Sequence, residues 1–200
     1  MQNIGAVILA AGESSRLGQP KQLLQLRGQS LVRRVVEAAE QAGCRPILAV
    51  IGSDRFKVEN ELVRTHATIV ENANWRRGIG TSIRSGLQLA IDNSPNLEAT
   101  VLLTCDQPLV DATTIEGLVS LREKTNKAIV ASAYAGTLGV PALLDRSCFP
   151  ELLALSDDHG AKTIILRDRQ RVAEFPFPDG AVDIDTKADY EKCEKAQRPS

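Results

Sequence analysis

Soft metal ligands and disulfide partners are scarce, with four cysteines and two histidines in 200 residues. Cys44, Cys105, Cys148 and Cys193 are far apart, form no Cys-x-x-Cys pair and sit mostly in apolar or helical surroundings. That pattern points to reduced thiols in a cytoplasmic protein, not to a disulfide framework or a zinc site. A charge imbalance is missing too: the formal net charge is −1. Without a sequence-wide basic field, neither nucleic acid nor an anionic membrane is an expected partner. No apolar stretch approaches membrane-spanning length, and the N-terminus enters its first strand without a charged-plus-apolar leader. Repeats and low-complexity segments are absent as well.

What is present suits one large globular domain over residues 1–200, with 195–200 as a frayed tail: 43% of the residues are hydrophobic and 24% charged. Apolar runs alternate with helical periodicities. Ile4 to Leu9, Pro46 to Ile51, Ala67 to Val70 and Thr100 to Cys105 read as strands. Between them Ser30 caps a helix carrying Leu31, Val32, Val35 and Val36, a weaker helix after Asp54 carries Phe56 and Leu62, and Ile83, Leu87, Ala90 and Ile91 mark a third. This alternation predicts an α/β fold with a mostly parallel sheet. Further on, either Asp111 or Thr113 caps a helix, Ala128 to Ala133 is another strand, and Gly136 to Leu143 reads as a glycine- and proline-containing loop.

The chain is organised around Leu9-Ala10-Ala11-Gly12-Glu13-Ser14-Ser15-Arg16-Leu17-Gly18-Gln19-Pro20-Lys21, which begins where the first strand ends, the edge at which open α/β sheets bind ligands. Small residues at 10 to 12 let backbone N–H groups close on a polyanion, with Arg16 and Lys21 to neutralise it. Two common phosphate loops are excluded. A dinucleotide fingerprint needs glycines where Ser14 and Leu17 stand. A Walker A loop needs four residues between its glycines, followed by Lys-Ser/Thr, whereas here five intervene and Gln19 follows.

Asp106 stands at the carboxyl end of the strand Thr100 to Cys105, facing the same sheet edge. It either begins a turn with Pro108 or ligates a divalent cation beside phosphate. Asp183 and Asp185 alternate about Ile184 and point to one side of an extended segment, while Thr186 and Asp189 form a capping box for the last helix, Lys187 to Lys195. Trp75, the one tryptophan, is either an apolar plug or a stacking surface.

The first stretch resembles, position by position, the signature Leu-Ala-Ala-Gly-x-Ser-x-Arg-x-Gly-x-x-Lys of the MobA-like nucleotidyltransferases, most closely the branch of the molybdenum cofactor cytidylyltransferases. Asn72-x-x-Trp75-x-x-Gly78-x-x-x-Ser82, Cys105-Asp106-Gln107-Pro108 and Asp183-Ile184-Asp185-Thr186 are similar to further segments of that family, so the likeness runs from Val7 to Tyr190. It implies a three-layer α/β/α Rossmann-like fold with the first and fourth strands side by side. It also implies nucleotide contacts at Leu9, Ala10, Ala11, Gly12, Lys21, Gly78, Ser82 and Asp106, catalytic roles for Arg16, Lys21 and Asp106, and Mg2+ on Asp106 and Asp185. The acceptor side would include Pro141, His159 and Lys162. Here Asp157 replaces the family's usual glycine and Lys162 its usual arginine, exchanging a bidentate phosphate contact for a point charge. The implied reaction joins CMP from CTP to the terminal phosphate of a phosphorylated pterin and releases pyrophosphate, with a molybdoenzyme or its chaperone as recipient. Transfer to a sugar or polyol phosphate and non-catalytic carriage of the cofactor are the alternatives.

Overall fold

A computed structural model of the chain describes residues 3–12, 14, 17–52 and 54–196. Seven strands form one sheet: β1 (Ile4–Ala10), β2 (Ile47–Ile51), β3 (Ala67–Glu71), β4 (Ala99–Thr104), β5 (Ile129–Tyr134), β6 (Thr137–Asp145) and β7 (Val172–Pro176). Their spatial order is β3-β2-β1-β4-β6-β5-β7. The pairs among β1 to β4 are parallel, as is β5 with β7, and only β6 runs against both its neighbours. The first and fourth strands are adjacent, with Leu9 opposite Thr104. Loops leaving β1 and β4 therefore emerge at one edge.

Successive β1 side chains serve opposite faces, since strand residues alternate. Ala6, Ile8 and Ala10 join one core with residues of α1 (Leu31–Gln41), α2 (Arg55–Glu61), α4 (Ala112–Thr125) and α7 (Lys187–Ala196). Val7 and Leu9 join a second core with α3 (Ile79–Asn93), α5 (Phe149–Leu153) and α6 (Ala161–Arg167). Two apolar cores separated by one sheet make the three-layer α/β/α architecture. Lys195 and Ala196, expected in a frayed tail, belong to α7, and residues 197–200 lie outside the described residues.

Local capping signals hold at three helix starts, those of α1, α4 and α7. The Ser30 side chain accepts from the Arg33 N–H at 3.4 Å. The capping box at Thr186 is made in both directions, Thr186 N–H to Asp189 at 2.8 Å and Asp189 N–H to Thr186 at 3.2 Å. One alternative is settled and two readings need correction. Asp111, not Thr113, caps α4, accepting from the Thr114 N–H at 2.8 Å. Phe56 faces solvent, because the buried α2 pair is Val58 and Leu62, four residues apart on one helix face. The expected loop Gly136 to Leu143 lies largely in β6, an interior strand. Register passes from Ala131 opposite Ala142 to Ser132 opposite Gly139, leaving Val140 and Pro141 as a bulge. A proline is tolerated inside a sheet at such a bulge, where no ladder N–H is required of it.

Candidate active site

The site lies at the carboxyl ends of β1 and β4, in a pocket of about 170 Å³ lined by Leu9, Ala11, Gly12, Lys21, Gln22, Trp75, Ile79, Ser82, Thr104, Cys105 and Asp106. Its glycine loop is held from within: the Lys21 N–H donates to Ser14 Oγ at 2.7 Å, closing the turn that brings Lys21 back over the sheet edge. Arg16 lies outside the described residues.

Lys21 Nζ is 2.7 Å from Asp106 Oδ2 and 2.9 Å from Asp185 Oδ1, uniting three sequence-predicted residues drawn from the two ends and the middle of the chain. Burial works against the ammonium, but the charge of Asp106 and hydrogen bonds to both carboxylates outweigh it and hold the Lys21 pKa above that of an ordinary lysine. Asp183, two residues before Asp185, has its carboxyl pushed up to about 6 by burial and by the charges of Asp106 and Asp185. Burial pushes the Cys105 thiol, in the pocket wall, up to about 12. A thiol held protonated in this way is a poor nucleophile, so Cys105 serves as part of the pocket wall.

Two backbone-level clasps fix the carboxylates. The Ile184 N–H donates to the Asp106 carbonyl at 2.9 Å. The buried Gln107 carboxamide donates to the carbonyls of Val140 and Gly180, both at 3.0 Å, and accepts from Thr104 at 3.2 Å. Gln107 thereby ties the Asp106 turn to the β6 bulge and to the segment that leads to Asp185. The sequence signal for this role is the place of Gln107 beside Asp106 in Cys105-Asp106-Gln107-Pro108.

The second wall is built by Asn72, which is buried and donates to Thr81 Oγ1 at 2.8 Å and Ser82 Oγ at 3.0 Å, locking the 72–82 turn and placing Ser82 in the pocket. Trp75 lines the pocket while packing on Gly52, where an added Cβ would meet its ring at 2.5 Å, and the Arg76 guanidinium lies 4.5 Å from its ring centroid. Gly78 is not among the pocket-lining residues. A Cβ there would meet the Asp157 carbonyl at 2.2 Å, and one on Gly80 would meet the Ser156 carbonyl at 2.1 Å. These glycines let the 156–160 loop lie against the start of α3, where the Gly80 N–H donates to Asp157 O at 2.8 Å. Asp157 strengthens the contact through ion pairs with Arg84 and, at 2.6 Å, with Arg77. The replacement of the family's glycine by Asp157 thus anchors the loop.

The acceptor-side residues are dispersed. His159 within that loop and Lys162 just after it are exposed, and Pro141 is buried in the β6 bulge, where its carbonyl accepts from Ser132 Oγ at 2.7 Å. None of the three lines the pocket.

Among the described residues, no group of three or more His, Cys, Asp or Glu side chains is arranged to hold a metal ion. Asp106 and Asp185 nevertheless direct carboxylate oxygens at one cationic point, occupied by the Lys21 ammonium. Two hard oxygen donors completed by phosphate and water are the set that Mg2+ or Mn2+ takes at triphosphate sites, so the residues fit such an ion. Among the described residues no helix is long and apolar enough to cross a membrane.

The model of the MobA-like NTP transferase domain matches residues 6–172. The chain belongs to this family. Within it the chain is 26% identical over 201 residues to the purine catabolism protein PucB of Bacillus subtilis, covering 95% of each. It is 30% identical over 171 residues to the nicotine blue oxidoreductase of Paenarthrobacter nicotinovorans, covering 81% of each. Rv0371c of Mycobacterium tuberculosis H37Rv superposes with a TM-score of 0.81 at 30% identity, over 97% of this chain and 98% of that one. A manganese complex of Rv0371c superposes with a TM-score of 0.77 at 27% identity, over 98% of this chain and 100% of the other. Membership makes this chain a nucleotidyltransferase of the MobA-like family, and both the loop signature and the neighbouring first and fourth strands agree with that assignment.

Proposed function

We propose that this MobA-like protein transfers the cytidylyl group of CTP to the terminal phosphate of molybdenum cofactor, a phosphorylated pterin, and releases pyrophosphate. The observation that carries the reading is the Lys21 ammonium held between Asp106 and Asp185 at the mouth of the Gly12 pocket. A divalent ion such as Mg2+, when bound by Asp106 and Asp185, supplies charge neutralisation to the reacting phosphates. Lys21 turns from its carboxylates to the triphosphate and stabilises the charge that grows on the departing pyrophosphate, with Arg16 expected to share that load. An oxygen of the acceptor phosphate forms a bond to the α-phosphorus as the bond to the bridging oxygen of pyrophosphate breaks. The acceptor phosphate is already anionic, so the residues must neutralise and align the two phosphates, and no general base is needed.

The nucleotide side uses the backbone of Leu9 to Gly12 for phosphate and Ser82 for the base. On the acceptor side His159 belongs to the loop that Asp157 anchors to α3 and Lys162 follows it, with Pro141 in the β6 bulge that Gln107 ties to the Asp106 turn. A molybdoenzyme or its chaperone would take the product in the cytoplasm. The name of the Paenarthrobacter relative raises hydride transfer as a second reading. Ser14 and Leu17, which stand where a dinucleotide fingerprint needs glycine, weigh against it. Pyrophosphate release with CTP, Mg2+ and, in turn, molybdenum cofactor, a sugar phosphate and a polyol phosphate tests the proposal. Release with the pterin alone supports it; release only with another acceptor overturns the acceptor assignment, and nicotinamide oxidation without pyrophosphate overturns the reaction.

A further inference from the structure

We propose that Ile79 supplies the apolar surface on which the nucleotide base rests, a contact that holds every base and selects none. This rests on the nucleotide reading of the pocket above. Among the described residues five large apolar side chains are exposed, Phe56, Val63, Ile79, Leu166 and Val182, and of these only Ile79, at 43%, lines the pocket. A scattered exposed apolar residue needs no explanation, but one in the wall of a concave site keeps hydrocarbon in water until a ligand covers it. Leu9 and Ala11, its apolar neighbours in the same wall, are buried.

Trp75, whose ring is the obvious stacking surface, is already engaged: the indole packs on Gly52 and carries the Arg76 guanidinium 4.5 Å from its centroid. Ile79 is placed differently. Its Cγ2 stands 3.4 Å from where a Cβ on Gly160 would lie, so it packs toward the 156–160 loop while its exposed surface lines the pocket. The backbone holds it there. Ile79 opens α3 between Gly78 and Gly80, both pressed on that loop; the Gly80 N–H donates to the Asp157 carbonyl at 2.8 Å, and Thr81 Oγ1 donates to the Gly78 carbonyl at 2.7 Å. A β-branched side chain on a fixed backbone has few rotamers to lose, so covering it costs little ordering. Hydrocarbon offers neither donor nor acceptor, and purines and pyrimidines alike present a ring face, so the contact adds affinity without reading the edge of the base.

Calorimetric binding of CTP, UTP, GTP and inorganic tripolyphosphate, each with Mg2+, to wild type, Ile79→Ala and Ile79→Met tests this. Ile79→Ala should weaken every nucleotide that wild type binds by one common factor, roughly five- to tenfold, the effect of withdrawing part of one apolar side chain from the contact. Tripolyphosphate, which has no base, should bind wild type and Ile79→Ala alike. Ile79→Met, which restores a large apolar side chain, should keep nucleotide affinity within about twofold of wild type. Unchanged CTP affinity in Ile79→Ala overturns the assignment; if the KM of the acceptor rises instead, the residue belongs to the acceptor and not to the base. Tripolyphosphate weakened as much as CTP also overturns it, because Ile79 then acts through the fold of the loop. A changed CTP/UTP ratio overturns the unselective contact. A wild type that binds tripolyphosphate and none of the nucleotides overturns the nucleotide reading itself, and Ile79 with it.

Discussion

The amide of Ile184 donates to the carbonyl of Asp106 at 2.9 Å, so the segment carrying Asp183 and Asp185 is sewn to the turn that carries Asp106. The main chain, and not a flexible surface contact, sets the spacing of the carboxylates, and Lys21 closes the arrangement by bridging Asp106 and Asp185. Electrostatic catalysis depends on such preorganisation, because groups already aimed at developing charge need not reorganise during the reaction.

Replacing Lys21 by alanine should lower turnover by roughly 10² to 10³, the usual effect of losing one preorganised electrostatic contact. The substitution also strips Asp106 and Asp185 of their resident cation. Mn2+ should then raise the melting temperature of Lys21→Ala more than that of wild type, since a ligand that binds only the folded state stabilises it in proportion to its affinity. Equal shifts in the two proteins would show that the ammonium and the metal do not share a site.

Gln107→Leu leaves the Val140 carbonyl with its second donor, Tyr134 at 3.0 Å, but removes the one that Gln107 gives to Gly180. A loss of about 1–3 kcal/mol is expected from urea unfolding at unchanged m-value, the cost of a buried unpaired acceptor. Turnover should fall with it, because Asp106 and the approach to Asp185 lose a common tie. Full activity in a destabilised Gln107→Leu would confine Gln107 to stability.

Gly12 and Gly80 should respond in opposite ways to alanine. A Cβ on Gly12 meets nothing within 4 Å, whereas one on Gly80 meets the Ser156 carbonyl at 2.1 Å. Gly80→Ala must move backbone and should cost about 1–3 kcal/mol, with a raised acceptor KM as the 156–160 loop shifts. Gly12→Ala should melt like wild type and raise the nucleotide KM, because its methyl group projects where the triphosphate is expected. Thermal unfolding alongside KM for each substrate separates the two.

Ala11 is buried in the pocket wall, and its methyl group narrows the space available to a base. Ala11→Gly is expected to relax CTP preference over GTP without reversing it, by about 1–3 kcal/mol of discrimination at most. The ratio of kcat/KM for the two nucleotides, measured with one acceptor, checks this. An unchanged ratio would relieve Ala11 of any role in base choice.

Much of this was legible in the chain. Apolar runs mark every strand from β1 to β5, most clearly the interior β1, β2 and β4, because a strand buried on both faces must be apolar throughout. The phosphate-binding character of the Gly12 loop could be read locally, and so could Ser30 and the Thr186–Asp189 box, because backbone conformation and capping act within a few residues. Lys21, Asp106 and Asp185 could be nominated singly by residue type and position, and by resemblance as a set.

Their convergence belongs to the tertiary structure, since 85 residues separate Lys21 from Asp106 and 164 separate it from Asp185. Only the sheet order that sets β1 beside β4, and the Ile184 clasp that returns the C-terminal segment to the same edge, decide that distance. The strand β6 escaped local reading because its glycine and proline look like a loop, and a register shift against β5 is what makes them acceptable in a sheet. The glutamines show the same division most plainly. Gln22 and Gln107 are chemically identical in sequence, and only distant residues distinguish them: Thr104, Val140 and Gly180 satisfy Gln107 as a clasp, whereas Gln22 Oε1 is buried with no hydrogen-bond partner among the described residues.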